Sequence, residues 1–371
     1  MSPAPVIHVT GARPNFPKAA PVLAALADLD VTQLLVHTGQ HYDDRMSEIF
    51  FRELSLPHPD VNLGVGSGSH AVQTAATMVG LEKLFLEQQP ALVVVYGDVN
   101  STVAAALVAA KLHIPVAHVE AGLRSFDMTM PEEVNRLLTD QLSDLLFVTS
   151  PDAIAHLANE GIDPARIHFV GNPMIDTLLA HLDTFDVAAA TAAHGLTGAY
   201  AVATLHRPAN VDSTESAAAL VAVLHEAADR LDVVFPLHPR GRAMLESQGL
   251  MTHERIHVVD PLGYTEFISL VRGSSAVITD SGGVQEETTV LGVPCLTLRP
   301  NTERPITITS GTNRLVTTDD VIAVLDEVLA RPAGAPHKVP PLWDGHAGPR
   351  IAEIIAAFLE ERSAGGRGAT A

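Results

Sequence analysis

Short, almost wholly apolar runs alternate with longer amphipathic stretches along most of the chain, and few folds accommodate that pattern. In the first half the apolar runs are Val6–Thr10, Gln33–His37, Leu92–Tyr96, Val116–Val119, Leu145–Thr149 and Ile167–Val170. Helix-patterned stretches separate them: Pro17–Ala27, Asp44–Leu54, Ala71–Gln88, Thr102–Lys111, Glu132–Gln141 and Asp152–Asn159. Strands alternating with helices of about ten residues or more build βαβ units and a parallel sheet. The runs lack the polar alternation of a half-solvated strand, which is expected when helices cover both faces of a sheet. A weak, alanine-rich stretch, Asp183–Ala199, follows, and we read it as a linker. The pattern then restarts at Ala201–Thr204, Val233–Pro236, His257–Val259, Ala276–Thr279 and Pro294–Leu298. The expected architecture is α/β, with two Rossmann-like, doubly wound parallel-sheet domains facing each other across an interdomain cleft. The expected boundaries are 1–182 and 183–348. In 349–371 a helix near Arg350–Glu361 is expected to pack back on the first domain, ahead of a disordered tail.

Composition removes several function classes. The 371 residues carry 23 Lys+Arg against 43 Asp+Glu, a formal charge of −20. Nucleic-acid binders present a basic patch or stripe, and adhesion to anionic membranes also needs basic clusters, so neither partner is expected. No apolar run is long enough for a membrane span, and the N-terminus lacks the pattern of a secretory signal, so a cytoplasmic protein is expected. Cys295 is the single cysteine, which excludes an intrachain disulfide and a thiolate zinc cluster. No other cluster has metal-ligand spacing; neither metal nor cofactor is expected.

In open α/β sheets, ligands bind beyond the carboxyl ends of the strands. The residues there are polar and charged in both halves. Val6–Thr10 leads into Gly11-Ala12-Arg13-Pro14-Asn15, with Lys18 one turn on. Leu92–Tyr96 leads into Gly97-Asp98, and Val116–Val119 into Glu120-Ala121-Gly122-Leu123-Arg124. In the second half His206-Arg207, His238 and Asp280-Ser281-Gly282-Gly283 occupy equivalent places. Each has a plain structural reading beside the functional one. Asp98 reads equally as the cap of the helix at 100–111. Glu120, directly after a buried strand, needs a partner, for which Arg124 is the nearest candidate. Glu132 and Glu133 after Pro131 make an ordinary helix start. The Asp280–Gly283 turn is more specific: its glycines admit a ligand to the backbone, and the helix that follows offers free N–H groups to a phosphate. The residues alone point to a phosphorylated ligand such as a nucleotide sugar, with a sugar-modifying enzyme and a glycosyltransferase both open.

Taken in order, nine blocks resemble the non-hydrolysing UDP-N-acetylglucosamine 2-epimerases. They are Gly11-Ala12-Arg13-Pro14, Thr38-Gly39-Gln40-His41, Gly97-Asp98, His118 to Arg124, Pro131-Glu132-Glu133 with Asn135-Arg136, Gly171-Asn172-Pro173, His206-Arg207, Thr279 to Glu287, and Thr302-Glu303-Arg304-Pro305. The resemblance runs from about Val6 to Val316. It implies the glycosyltransferase-B type of twin Rossmann fold and a homodimer. It also implies reversible C2 epimerisation of UDP-N-acetylglucosamine to UDP-N-acetylmannosamine, by elimination of UDP to 2-acetamidoglucal and re-addition. By position it assigns Asp98, Glu120, Glu132 and His206 to catalysis. Arg13, Lys18, Phe267, Ser281, Gly282, Gly283, Glu287 and Arg304 are assigned to substrate binding. The alternatives are a hydrolysing epimerase that releases N-acetylmannosamine and UDP, and a glycosyltransferase of the same fold. The Gln and Arg of the family's second, activating UDP-sugar site have no counterpart near Asp43 and in 64–69, though Gln40 remains, so activation by substrate is not expected.

Overall fold

The structure, a computed structural model, describes residues 4–39, 52–54, 56–237, 239–332 and 336–368. Gln40, His41, Asp43, most of the expected helix Asp44–Leu54, and His238 lie outside the described residues, as does the side chain of Arg13. The chain divides into two compact units, 1–180 together with 341–371, and 181–340.

The first unit is built on a seven-stranded, all-parallel sheet of order β3-β2-β1-β4-β5-β6-β7. Its strands are β1 (Val6–Thr10), β2 (Gln33–His37), β3 (Val61–Asn62), β4 (Leu92–Tyr96), β5 (Val116–Ala121), β6 (Leu145–Val148) and β7 (Ile167–Phe169). The crossovers contain α1 (Phe16–Asp28), α2 (His70–Gln88), α3 (Asn100–Lys111), α4 (Pro131–Leu142) and α5 (Pro151–Asn159), and α6 (Pro173–Ala180) follows β7. Ile7, Val9, Val93 and Val95 of the central strands pack against Leu81, Leu84 and Phe85 of α2 and the alanines of α3. Each such side chain contributes about 1.5–3 kcal/mol on burial, which is why the strands read as unbroken apolar runs.

The second unit holds a six-stranded parallel sheet of order β10-β9-β8-β11-β12-β13. Its strands are β8 (Tyr200–Thr204), β9 (Asp232–Pro236), β10 (Ile256–Val259), β11 (Ala276–Thr279), β12 (Cys295–Leu298) and β13 (Asn313–Val316). Its helices are α7 (Val187–Ala193), α8 (Pro208–Val211), α9 (Thr214–Ala228), α10 (Pro239–Ser247), α11 (Tyr264–Gly273), α12 (Gly282–Leu291), α13 (Ile306–Thr309) and α14 (Val321–Leu329). The stretch read as a linker therefore contains a helix, α7, begun by Asp186, whose side chain accepts the Ala189 N–H at 2.9 Å.

After 340 the chain returns to the first unit. Trp343 Nε1 donates to the Thr149 carbonyl at 2.8 Å, and α15 (Ala347–Gly368) packs on α1 and α6. The helix runs past Glu361, through the start of the segment expected to be disordered. Its first turn is capped by Asp176, which accepts the Gly348 N–H at 2.6 Å. Burial pushes the Asp176 carboxyl up to about 6, against the pull of the Gly348 and Ala347 N–H groups.

In both sheets the strand order reverses at one point, between β1 and β4 and between β8 and β11. These switch points open crevices at the carboxyl edge, where ligands of doubly wound sheets bind.

Candidate functional site

At the first switch point the turn after β1 is organised by Asn15. Its side-chain oxygen accepts the N–H groups of Gly11 and Ala12, both at 3.0 Å, and its amide donates to the Tyr96 carbonyl at 2.9 Å. Arg13 lies in this turn. Lys18, on α1, is buried and its ammonium donates to Glu120 Oε2. Glu120 owes its direction to the backbone. The register between β5 and β6 shifts between Val119 and Ala121, and Glu120 has φ +73°. A bulged strand end in the left-handed region is costly for a residue with a Cβ and re-aims its side chain, so strain is held at this carboxylate. The pairing corrects the sequence-based expectation. Arg124 does not serve Glu120; it pairs with Asp140 at 2.7 Å and with Glu160 at 2.6 Å.

Asp98 follows Gly97 at the end of β4. It does not cap α3, whose N-cap is Val99. Its carboxylate faces Arg136 Nε at 3.3 Å and keeps 25% of its surface exposed, while Arg136 is buried. Arg136 also pairs with Glu133 at 2.9 Å. Glu133 in turn accepts from the Ser125 hydroxyl and from the N–H groups of Ser125 and Phe126 at 2.9–3.0 Å, latching the 122–130 loop. Glu132, in the first turn of α4, is half-buried and has no ion-pair partner among the described residues. Asp98, Glu120 and Glu132 thus come from the ends of β4 and β5 and the start of α4.

Sequence reading passed over a buried polar chain behind these groups. His118, on β5, has Nδ1 2.7 Å from Asp140 Oδ1 and Nε2 2.8 Å from the Gly97 carbonyl. Asp140 also accepts the Gly122 N–H at 3.1 Å. Burial raises the Asp140 carboxyl, but His118 and Arg124 outweigh it and hold the group below the usual carboxylate range. The carbonyl can only accept, so Nε2 is the nitrogen that donates to Gly97. A signal was present in α4. Its buried residues are Glu133, Asn135, Arg136, Thr139 and Asp140, whereas Val134 and Leu138 face out. An amphipathic helix turned inside out marks a polar interior.

At the second switch point the turns after β8 and β11 meet. Thr204 and Thr279 bond across the strands at 2.6 Å. His206 is half-exposed, with Nδ1 3.1 Å from Asp280 Oδ1. The fully buried Asp280 also accepts the N–H groups of His206 and Arg207 and the Asn210 amide at 2.8–3.1 Å. Burial raises the Asp280 carboxyl, but the donors, His206 foremost, overcome it and hold it below its ordinary value. A carboxylate on Nδ1 fixes the ring orientation and the tautomer.

Ser281 is the N-cap residue of α12, and Gly282 and Gly283 open its first turn. Beneath Gly282 lies Arg304, buried, with Nε 3.0 Å from Glu286 and Nη1 on Glu303. Glu303 also binds Arg299 at 2.8 Å. A Cβ on residue 282 would lie 2.5 Å from Arg304 Nη1, so any larger residue there requires Arg304 or the start of α12 to shift. Glu287, one turn in, is buried, and burial pushes its carboxyl up to about 8; Tyr264 pulls it back and Glu286 adds to the rise. Phe267 sits on α11, partly buried against the same core. Among the described residues no group of three His, Cys, Asp or Glu is placed to hold a metal ion.

A family model described as UDP-N-acetylglucosamine 2-epimerase matches residues 24–356. A UDP-N-acetylglucosamine 2-epimerase of Methanocaldococcus jannaschii is 40% identical over 94% of this chain and 97% of its own. A UDP-2,3-diacetamido-2,3-dideoxy-D-glucuronate 2-epimerase of Pseudomonas aeruginosa is 45% identical over 84% of this chain and 88% of its own. A crystal structure of the M. jannaschii enzyme with UDP-GlcNAc and UDP superposes with a TM-score of 0.88 at 39% identity, covering 95% of this chain and 99% of that one.

Proposed function

This chain belongs to the UDP-N-acetylglucosamine 2-epimerase family, and on that premise we propose that it inverts C2 of UDP-N-acetylglucosamine by the non-hydrolysing route. In that route a carboxylate takes the C2 proton while the C1–O bond breaks. The C2–H electron pair becomes the C1=C2 double bond of 2-acetamidoglucal, and UDP departs with the C1–O pair. UDP then adds back at C1, and C2 takes a proton on its opposite face.

The observation that supports this reading is the position of Asp98 and Glu120 at the ends of the adjacent strands β4 and β5, the edge at which parallel sheets bind ligands, with Glu132 in the first turn of the helix that follows β5. A base and an acid on opposite faces of C2 require more than one such group. Arg13 and Lys18 are the cations we assign to the substrate at this edge. His206, oriented by Asp280, and the Ser281–Gly283 turn suit the negative charge that grows on the β-phosphate as UDP leaves. Arg304 adds positive charge directly beneath that turn. Glu287, neutral below about pH 8, suits the ribose hydroxyls without repelling the diphosphate, and Phe267 the uracil.

Incubation with UDP-N-acetylglucosamine in D₂O, read by NMR, tests the reading. The expected result is an intact nucleotide sugar with deuterium at C2 in both epimers. Irreversible release of UDP and N-acetylmannosamine would establish the hydrolysing reaction instead. Because the P. aeruginosa relative acts on a diacetamido-glucuronate, the same assay run with that nucleotide sugar decides the sugar preference.

Among the described residues no helix is long and apolar enough to cross a membrane, and we assign the enzyme to the cytoplasm. We further assign it a homodimer. Val72, Val79 and Leu86 are exposed at seven-residue spacing on α2, and Val134 and Leu138 are exposed on α4, with α3 packed between the two helices. Exposed apolar residues repeated along two helices suit a second copy, and sedimentation at micromolar concentration tests it.

A further inference from the structure

His118 is fully buried, and the proposed reaction gives it nothing to do. Yet it stands behind both strand-end carboxylates. Gly97, which carries Asp98 as its next residue, is held through both of its backbone polar groups by neighbours on β5. Its N–H donates to the Val119 carbonyl at 3.0 Å, and its carbonyl accepts from His118 Nε2 at 2.8 Å. Gly97 has φ +63°, and a Cβ there would lie 3.2 Å from Glu120 Oε2 and 3.3 Å from Lys18 Nζ. The backbone that bears Asp98 is thus in near contact with the Glu120–Lys18 pair. The His118 ring is itself held by Asp140, Asp140 by Arg124, and Arg124 by Glu160 just past α5.

We propose that His118 is a positioning residue that sets the relation of Asp98 to Glu120 through its hydrogen bond to the Gly97 carbonyl. It touches no substrate and moves no proton. Released from His118, the Gly97–Asp98 peptide keeps its holds from α4, the Asn135 amide on the Asp98 carbonyl at 2.8 Å and Arg136 on the carboxylate, but loses the one from β5, so Asp98 shifts relative to Glu120. A displacement of about 1 Å in a reacting group costs about 100-fold in rate. The inference rests on the epimerase reading of those two carboxylates.

The test uses the full chain, with C2 exchange in D₂O and steady-state kinetics on UDP-N-acetylglucosamine, and circular dichroism to establish folding. In His118→Leu the donor is gone; kcat falls about 100-fold while KM stays within about threefold. In His118→Gln the side-chain amide can still donate to Gly97, and kcat recovers to within about tenfold of the parent. A folded His118→Leu with parental kcat, a loss confined to KM, or a His118→Gln no better than His118→Leu overturns the proposal. If His118→Leu does not fold, His118→Gln decides alone: a lowered kcat at constant KM supports positioning, and a raised KM at constant kcat overturns it. A parent that leaves C2 unexchanged overturns the epimerase reading and this inference with it. A parent that exchanges, matched by His118→Leu, overturns this inference alone.

Discussion

At the carboxyl edge of the first sheet the buried acids Glu120, Glu133 and Asp140 each face a cation: Lys18, Arg136 and Arg124. At the equivalent edge of the second sheet Glu286 and Glu303 are likewise served by Arg304 and Arg299, and Asp280 by the His206 ring and backbone N–H groups. Glu287 differs: beside it stand Tyr264 and a second carboxylate, Glu286, and it remains protonated to about pH 8. The two edges share one topology, and the difference in charge between them lies at this one carboxyl. Ionised carboxylates held by buried cations suit proton chemistry and the positive charge that grows at C1. A neutral carboxyl beside a helix N-terminus suits an anionic ligand, because it donates or accepts hydrogen bonds without opposing the phosphates.

Removing the chemistry from the first edge, while leaving recognition on the second, is the harshest test of that division. Asp98→Asn keeps the shape and removes the basic carboxylate. C2 exchange in D₂O is expected to fall about 10²–10⁴-fold, with UDP affinity by titration calorimetry unchanged. Equal losses in exchange and in UDP binding would mean that the two edges do not divide the work.

Lys18→Met tests the first edge by removing the buried cation that donates to Glu120. Breaking a buried pair from one side costs about 3–5 kcal/mol, read as a lower denaturation midpoint in urea at neutral pH. Adding Glu120→Gln to it is expected to recover part of the loss, because the charge that Lys18 balanced is then gone. A double variant no more stable than Lys18→Met would show that the pair's charge is not what matters.

These pairings were the least legible part of the chain. The strands could be read because helices cover both faces of each sheet and most of their core positions are apolar. β3 escaped because it is a two-residue edge strand, and β13 because its middle residues, Arg314 and Leu315, are only half-buried. Asp98, Glu120 and His206 could be singled out as candidates because strand ends are where doubly wound sheets place ligands. Their partners could not. Glu120 meets Lys18 across 102 residues, and His118 meets Asp140 across 22. The nearer candidate, Arg124, is turned elsewhere by a left-handed residue that no periodicity reveals. The inverted polarity of α4 was the available clue, and reading Glu132 and Glu133 as an ordinary helix start concealed it.

Glu287→Gln removes the unpaired acid from the second edge and leaves it like the first. The Glu287 carboxyl ionises near pH 4.5 in the unfolded chain and near 8 in the folded one. Between those values the folded state holds a proton that the unfolded state has lost, so this group's contribution to stability declines as pH rises from about 4.5 to about 8 and is constant above. A shift of that size corresponds to a few kcal/mol, roughly, at its full extent. Unfolding midpoints of parent and variant are therefore expected to agree near pH 4.5 and to separate progressively up to pH 8, with the variant higher. Parallel curves would place an ionised Glu287 in the folded protein and erase the contrast between the edges.

Gly282→Ala probes recognition on the second edge with a single methyl group. The added Cβ lies 2.5 Å from Arg304 Nη1 and 2.9 Å from Glu303 Oε1. Flexible side chains ordinarily yield to such a contact. Arg304 does not have that freedom, because Glu286 and Glu303 hold it from two sides. The start of α12 must move instead, and its N–H groups turn away from the diphosphate. UDP affinity is expected to fall about tenfold, equivalent to about 1.4 kcal/mol. Gly198→Ala, where a Cβ meets nothing within 4 Å, is the control in the same unit and is expected to bind UDP like the parent. If Gly282→Ala also binds UDP like the parent, the diphosphate does not rest on this turn. The second edge would then owe its anion affinity to His206 and the arginines.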